Sequence, residues 1–335
     1  MLRLSVLDQS IAAAGRPHGQ AIRDTVSLAA HCEALGYRRF WVSEHHNHPS
    51  ILGTAPEILI AAMAMRTERI RIGSAGVMLP HYSALKVAEQ FRVLDALAPG
   101  RIDLGLGRAP GSDGLTAYAL HPMANERPQQ FPADVRDILA WISGEPLAEG
   151  HAFAQVRAYP AGDTVPEVWM LGSSNYGAQV AAHFGLPYCF AWFFTDGRGA
   201  AEALRMYREG YRPSERHPER VSGLCVWALA AESEEEAQHH YTPRARWQLL
   251  RRQGLYTALE TPEDAAAHPY TESEKAVLDR FREQAFVGTP GRVAERIEAL
   301  ATELDIQEIA VVTWTHDEAV RRKSYALLAD AFGLG

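Results

Sequence analysis

The sequence alternates between short runs of β-branched and aromatic residues and longer segments whose apolar residues recur at helical spacing. Such alternation is typical of parallel strands joined by helices. Eight short runs are predicted to be strands: 2–7, 40–43, 70–77, 102–106, 168–171, 188–193, 221–229 and 306–312. About eight strand–helix units in one chain of 335 residues predict an α/β protein with a single TIM (β/α)8 barrel rather than an open doubly wound sheet.

Two stretches do not fit this repeat. One is the Pro- and Gly-bearing segment 144–166, and the other is 254–283, which contains Pro262 and Pro269. We therefore predict one domain over 1–335 with insertions at about 144–166 and 254–283. A long, loop-rich insertion in a compact barrel is usually functional, so we expect the second to contribute to a lid.

Composition narrows the possible partners and locations. Lys and Arg total 33 against 41 Asp and Glu, and the basic residues are scattered, which disfavours nucleic acid as a partner. No apolar run approaches the roughly 20 residues of a membrane-spanning helix, and 2–8 turns polar too early for a signal peptide. The widely separated Cys32, Cys189 and Cys225 predict buried thiols in a reducing cytoplasm.

The active site of a TIM barrel lies at the carboxyl ends of its strands, and a histidine cluster, 44–48, follows the second predicted strand. His46 and His48 have a spacing that can place two imidazoles on one metal ion, as in barrel hydrolases. That chemistry needs further ligands at later strand ends, where only His316 and Asp317 qualify. We therefore predict no metal site and keep the metal-dependent hydrolase as the least favoured alternative.

His45 supports a second interpretation of the same cluster. At a strand's carboxyl end it can serve as a neutral base or hydrogen-bond donor, held by Glu44 or a neighbour and tuned near neutral pH. The third interpretation is that all three histidines are surface loop residues.

The run 172–177, Gly-Ser-Ser-Asn-Tyr-Gly, joins a strand to a helix through small, donor-rich residues. Free N–H groups at a helix N-terminus form a phosphate site, and Arg108 at another strand end can supply a cation. Alternatively, Ser174 or Asn175 only caps the helix. The spacing alone favours neither interpretation.

Three further features concern small and aromatic residues. Gly105 and Gly107 do not complete a dinucleotide fingerprint, because Pro110 stands where the helix should begin, so a nicotinamide site is not indicated. The pair Ala75-Gly76 can let a flat ring approach the backbone or can mark a strand bulge. Trp192 can line an apolar pocket or pack at the barrel rim.

Three long motifs carry a family resemblance: 40–47 (Phe-Trp-Val-Ser-Glu-His-His-Asn), 72–82 (Ile-Gly-Ser-Ala-Gly-Val-Met-Leu-Pro-His-Tyr) and 99–108 (Pro-Gly-Arg-Ile-Asp-Leu-Gly-Leu-Gly-Arg). In this order they closely resemble the bacterial luciferase-like flavin monooxygenases, and the likeness covers nearly the whole chain. Within that superfamily the sequence looks most like the single-subunit luciferase-like oxidoreductases.

The resemblance implies a barrel that receives reduced FMN (FMNH2) from a separate NAD(P)H:flavin reductase, forms a C4a-hydroperoxyflavin with O2 and oxygenates a small organic substrate. It also implies a homodimer formed through the helices near the second and third strands, for which 61–65 is suitable. Two alternatives on the same barrel are an F420-dependent oxidoreductase and a flavin-binding protein without turnover.

The resemblance also assigns roles to individual residues. His45 matches the family's catalytic histidine, and Ala75-Gly76 matches a non-prolyl cis peptide beneath the isoalloxazine. Gly107 stands where luciferase has a reactive cysteine, and Tyr176 where it has a threonine that contacts the phosphate, so we expect the tyrosine hydroxyl to serve instead. The predicted cofactor contacts are Ala75, Gly76, Arg108, Ser173, Ser174, Tyr176 and Trp192.

Overall fold

The strands of this computed structural model, which describes residues 2–109 and 113–334, form one parallel sheet that closes on itself. Pro110, named above, lies outside the described residues. The strands are β1 (Arg3–Asp8), β2 (Arg39–Val42), β3 (Arg71–Ser74), β4 (Val77–Met78), β5 (Ile102–Gly107), β6 (Glu167–Gly172), β7 (Tyr188–Phe190), β8 (Ser222–Ala230), β9 (Phe286–Gly288) and β10 (Glu308–Val312).

Eight of these described strands complete the ring, in the order β1, β2, β3, β5, β6, β7, β8, β10 and back to β1. Every neighbouring pair in the ring is parallel; for example, Val6 of β1 lies opposite Phe40 of β2 and Val311 of β10. The sequence-based prediction of a TIM barrel is therefore confirmed.

Helices surround the barrel and cover the outer face of the sheet. They are α1 (His18–Ala34), α2 (Pro56–Ala64), α3 (Ala84–Leu97), α4 (Gly114–Leu120), α5 (Phe131–Ser143), α6 (Asn175–Phe184), α7 (Trp192–Thr195), α8 (Ala200–Gly210), α9 (Glu234–Arg252), α10 (Pro262–Ala267), α11 (Glu272–Gln284), α12 (Pro290–Glu303) and α13 (Glu318–Ala331). Within the described ranges, none of them combines the length and apolar character needed to cross a membrane.

Several elements differ in detail from the predictions. The strand predicted over 70–77 is divided into β3 and β4, and β4 pairs with β5. The strand predicted over 188–193 ends at Phe190, after which α7 begins. The segment 254–283, predicted to be loop-rich, contains α10 and α11, because its acidic stretches follow capping threonines such as Thr271.

The amino-terminal half of the barrel interior is filled by charged side chains. Arg39 is buried and contacts three carboxylates, at 2.7 Å from Asp103 and 2.8 Å from both Glu167 and Glu308. Burial alone would lower the pKa of Arg39, but these carboxylates raise it, so the arginine stays charged. The indole N–H of Trp41, which lies in the next layer of side chains inside the barrel, donates to the Asp103 carboxylate at 2.9 Å. The interior at this end of the barrel is therefore occupied by paired charges.

Candidate active site

A cavity lies at the carboxyl ends of β1, β2, β3, β6, β7 and β8, directly above the Trp41 layer. It encloses about 400 Å³, part of which is open to solvent. Its wall is mostly apolar, with Leu171, Ala191 and Phe193 among the lining residues. We call it the His45 cavity, because the predicted catalytic histidine is one of its walls.

One side of the His45 cavity is made of backbone at very close approach. The peptide bond between Ala75 and Gly76 is cis, as the resemblance implies. A Cβ added to Gly76 would lie 2.8 Å from the carbonyl oxygen of Gly105, and one added to Gly105 would lie 2.1 Å from that of Ser74. Only glycine fits at such distances, and the Leu171 side chain, which lines the cavity, would also lie within 3 Å of either added Cβ. The backbone next to Ala75 is therefore packed with no room for a further side chain.

His45 is the residue whose environment is most informative. Its backbone N–H donates to the carbonyl of Gly53 at 2.9 Å, which holds the residue at the end of β2. Its Nδ1 atom is buried and has no hydrogen-bond partner in the described part of the chain. Burial first, and then the nearby His48 and His46, lower the pKa of His45 to about 4. The imidazole is therefore neutral at physiological pH, with one ring nitrogen available to a ligand.

The prediction that His45 titrates near neutral pH is wrong, because burial lowers its pKa. Of the predicted holders of His45, Glu44 or a neighbour, Glu44 bonds other groups. Its carboxylate instead accepts hydrogen bonds from His46 Nε2 at 2.7 Å, from the Tyr82 hydroxyl at 2.6 Å and from the backbone N–H of Met78 at 2.9 Å. Burial and this carboxylate raise the pKa of Tyr82. Glu44 thus links the end of β2 to β4 by hydrogen bonds, whereas His45 lines the cavity.

The two histidines of the H-x-H pair, His46 and His48, have different partners. His46 is engaged as just described, whereas His48 Nδ1 accepts from the backbone N–H of Ser50 and its ring lies 4.9 Å from that of Tyr256. His316 contacts a backbone carbonyl. Across residues 2–109 and 113–334, no three His, Cys, Asp or Glu side chains are arranged to hold a metal ion.

The residues predicted to contact a phosphate come from two elements. Helix α6 begins at Asn175, with Ser174 as its N-cap, but the Ser174 side chain makes no capping hydrogen bond and is exposed. From the end of β5, the guanidinium carbon of Arg108 lies 4.2 Å from the centre of the Tyr176 ring. Together with the half-buried Ser173, these groups surround the N-terminus of α6, whose first N–H groups have no partner within the helix.

Trp192 lies outside the His45 cavity. It is the first residue of α7, packs against Gly197 and lines a second cavity, to which we return below. Phe193 lines both cavities and therefore forms the wall between them.

Several residues of the His45 cavity wall were not predicted as site residues, among them Gln9, Ser43, Cys189 and Cys225. Ser43 Oγ is buried without a hydrogen-bond partner in the described residues, like His45 Nδ1. The two cysteines are buried and free, as expected of all three thiols, and burial raises their pKa, so they are neutral. Ser43 could have been predicted from the alternation of side chains along a strand. It stands two residues after Trp41, directly after β2, so both side chains point to the same face.

The first part of the 254–283 segment, which we call the mouth segment, packs on the loops that follow β1 and β2. The carbonyl of Thr257 accepts from Ser50 Oγ at 2.6 Å, Leu259 forms a bridge with Ala13, and Tyr256 contacts His48. In contrast, the 144–166 segment packs against α3, where Arg92 donates to the carbonyl of Pro160.

Comparison with known proteins places these features in a family. The model of the luciferase-like monooxygenase family matches residues 2–307. The chain is 40% identical to the protein YwcH of Bacillus subtilis, over 99% of both chains. It is 34% identical to the N-acetyl-S-alkylcysteine monooxygenase of Bacillus subtilis, over 99% of this chain and 98% of the relative.

Solved structures agree with this assignment. The structure of apo-MsnO8 is 33% identical and superimposes with a TM-score of 0.90, over 100% of this chain and 99% of that one. Two more distant structures show the fold alone. They are the oxygenating constituent of 3,6-diketocamphane monooxygenase of Pseudomonas putida with FMN (TM-score 0.72, 19% identity, 99% and 97% coverage) and an F420-dependent secondary alcohol dehydrogenase (TM-score 0.67, 15% identity, 98% of both chains).

Proposed function

The chain belongs to the luciferase-like monooxygenase family, and from this premise we propose that it is a two-component, FMN-dependent monooxygenase. In this proposal a separate NAD(P)H:flavin reductase supplies reduced FMN, and the barrel uses it with O2 to oxygenate a small organic substrate. The oxygenating constituent of 3,6-diketocamphane monooxygenase binds FMN on the same fold.

The observation that carries the proposal is the shape and chemistry of the His45 cavity. A flat ring needs a support without bulky side chains, and the Ala75-Gly76 backbone, packed against Gly105, would supply it beside the cavity. Such a ring also has polar edges, and Ser43 Oγ and His45 Nδ1 are buried polar atoms without partners in the described residues. Buried polar groups are normally hydrogen-bonded, so both atoms fit a bound ligand.

The phosphate end of FMN fits the N-terminus of α6. The N–H groups of a helix N-terminus and its dipole favour an anion, and Ser173 and Ser174 provide hydroxyl donors beside them. Arg108 adds a cation, and its stacking on Tyr176 restricts the guanidinium to this place.

Reduced FMN would supply the electrons that activate O2 for oxygen transfer. The protein's part is to keep water and stray acids away from that chemistry, which the apolar wall of Leu171, Ala191 and Phe193 supports. His45 would exchange a hydrogen bond or a proton with the ligand at Nδ1, which has no other partner in the described residues. The mouth segment around Tyr256 would limit access from solvent.

Two further parts of the proposal concern assembly and location. Large apolar side chains are exposed on and directly after α2 and on α3, including Ile58 (67% exposed), Met65 (72% exposed) and Leu97 (47% exposed). Such a surface supports a homodimer through these helices. The three free, buried thiols support a reducing cytoplasm.

The proposal is tested by reconstituted turnover. The purified chain is mixed with FMN, NADPH, an unrelated flavin reductase and isotope-labelled O2, with N-acetyl-S-methylcysteine as the first substrate because a relative acts on this class. We expect labelled oxygen in an organic product only when both the reductase and the chain are present. Turnover of NADPH by the chain alone would contradict the two-component arrangement.

A further inference from the structure

A second cavity lies beside the His45 cavity, on the other side of Phe193. It is built from α7, β8, α9, α11, β9 and α12 and encloses about 780 Å³, part of which is open to solvent. This volume is large enough for a small organic molecule, and half of the lining residues are aromatic, including Trp192, Trp227 and Phe281. We call it the Arg244 cavity, after the arginine that faces it from α9. A second arginine of its wall, Arg296 on α12, already donates to the backbone carbonyls of Ala285 and Glu283.

Arg244 is a buried cation with no ion pair or hydrogen bond from its side chain in the described residues. It is 3% exposed, and its Nε and Nη1 atoms are buried with no hydrogen-bond partner in residues 2–109 and 113–334. Asp196, the acidic residue of the same cavity, is exposed and forms no ion pair with Arg244 in the described part of the chain. Burial lowers the pKa of Arg244 to about 10, so the side chain remains charged at pH 7. A buried, unpaired charge is costly to a protein.

Tryptophan rings surround the guanidinium. Its carbon lies 4.6 Å from the ring centre of Trp314, 4.7 Å from that of Trp247 and 5.9 Å from that of Trp227. Cation–π contacts stabilise the charge, but they accept none of its N–H groups. The arginine is thereby held in place while its donors stay unused.

A second donor in this cavity is also unused. The indole N–H of Trp247 donates to Ser50 Oγ at 2.8 Å and that of Trp314 to Gln9 Oε1 at 3.1 Å. The indole nitrogen of Trp227, in contrast, is buried without a partner in the described residues. Two side chains that line the cavity, one of them charged, thus carry buried donors without partners in the described residues, and an acceptor with negative charge would complete their hydrogen bonding.

The Arg244 cavity is continuous with the wall of the His45 cavity. Trp227 lies two residues beyond Cys225 on the same face of β8, and Cys225 lines the His45 cavity. Gln9, another residue of that wall, accepts from Trp314, which stacks on Arg244. Phe193 is the wall that the two cavities share, so the apolar part of a molecule held at Arg244 can lie against that wall, next to the His45 cavity.

We propose that Arg244, together with the Trp227 indole, binds the carboxylate of an organic acid whose apolar part reaches towards the His45 cavity. The inference rests on the proposed function, because it names the class of substrate, a monocarboxylic acid, for the same site. The planar guanidinium matches a carboxylate in two parallel hydrogen bonds, which a neutral amide cannot reproduce.

The test uses pentanoate and its uncharged analogue pentanamide as probes. Binding is measured by calorimetry on the full chain without flavin, for the wild type, for Arg244→Gln and for Arg244→Lys. We expect the wild type to bind pentanoate at least about tenfold more tightly than pentanamide. Arg244→Gln should lose this preference, and Arg244→Lys should retain part of it because it keeps the charge without the planar fork.

Arg280→Gln is the matched control, because Arg280 is an exposed arginine on α11 that bonds only a backbone carbonyl of its own helix among the described residues. It should keep the wild-type preference. Equal affinities of the wild type for the two probes, binding of neither probe, or a preference retained in Arg244→Gln would overturn the inference. If Arg244→Gln does not fold, the inference is still tested by comparing the affinities of the wild type for pentanoate and pentanamide.

A parallel titration with reduced FMN separates this inference from the proposed function. Carboxylate preference without binding of reduced FMN would contradict the proposed cofactor and leave the Arg244 site intact. Binding of reduced FMN without carboxylate preference would contradict only the Arg244 site.

Discussion

The guanidinium of Arg108 stacks on the ring of Tyr176, with 4.2 Å between the guanidinium carbon and the ring centre. The contact joins the end of β5 to the first turn of α6, which are far apart in sequence. It places a cation over a helix N-terminus, where a phosphate is favoured by both the dipole and the free N–H groups.

Arg108→Ala should weaken the binding of reduced FMN by about tenfold or more, since a charged hydrogen bond contributes roughly 1.5–3 kcal/mol. Reduced riboflavin, which has no phosphate, should bind the variant and the wild type equally. Arg69→Ala, which removes an exposed arginine far from this site, is the control. The measurement is anaerobic fluorescence titration, and an equal loss for both flavins would contradict a phosphate contact.

His45→Ala should lower product yield by about 100-fold while reduced FMN still binds, because a positioned acid–base group contributes roughly 100-fold or more. Product and released hydrogen peroxide are measured together at fixed reductase. We expect peroxide to rise as product falls. Unchanged coupling between flavin oxidation and product would rule out the role of His45.

Gly105→Ala and Gly107→Ala form a matched pair on β5. A Cβ at residue 105 would lie 2.1 Å from the Ser74 carbonyl oxygen, whereas at residue 107 the nearest atom is 3.6 Å away. We expect Gly105→Ala to lower the free energy of unfolding by about 3 kcal/mol or to prevent folding, because overpacking costs roughly 1–3 kcal/mol and backbone cannot yield. Gly107→Ala should be close to wild type in thermal unfolding. Similar melting of both variants would be incompatible with the close approach described here.

The neutral His45 predicts a specific acid sensitivity. Its pKa is about 4 in the folded chain against an ordinary value of 6.5. As the pH falls from 6.5 towards 4, the unfolded chain takes up the proton first, so the free energy of unfolding falls. His48, His217 and His240 act in the same direction. Chemical denaturation should therefore show a shallower pH dependence for His45→Gln than for the wild type, and identical slopes would contradict a buried neutral His45.

The exposed apolar side chains of α2 and α3 predict a homodimer. Light scattering should give twice the chain mass for the wild type, and Ile58→Glu should shift the population towards monomer because it places a charge in the apolar surface. Ile58→Ala should change the equilibrium less. A wild-type chain that is monomeric at micromolar concentration would refute the dimer.

The barrel and the location of its site could be predicted because both depend on local signals. Strand-like runs recur along the whole chain, and the carboxyl end of each strand is adjacent in sequence to the residues that form the site. The Ala75-Gly76 motif is likewise local, and the cis peptide lies where the resemblance implies.

The features that could not be predicted depend on long-range contacts. The sequence does not show which of the adjacent histidines Glu44 contacts. In the fold, Tyr82 and the backbone of Met78 also donate to Glu44, and the histidine that bonds it is His46. Arg244 stands in a charged helix that resembles a solvent-exposed one, and only the fold brings Trp227 and Trp314 around it.

The central claim is that the His45 cavity binds reduced FMN. Its most direct test is an anaerobic titration of the wild-type chain with reduced FMN and, separately, with reduced F420. Binding is measured in both titrations by isothermal calorimetry. The account predicts stoichiometric binding of reduced FMN and no comparable binding of reduced F420. Binding of reduced F420 without binding of reduced FMN would contradict it.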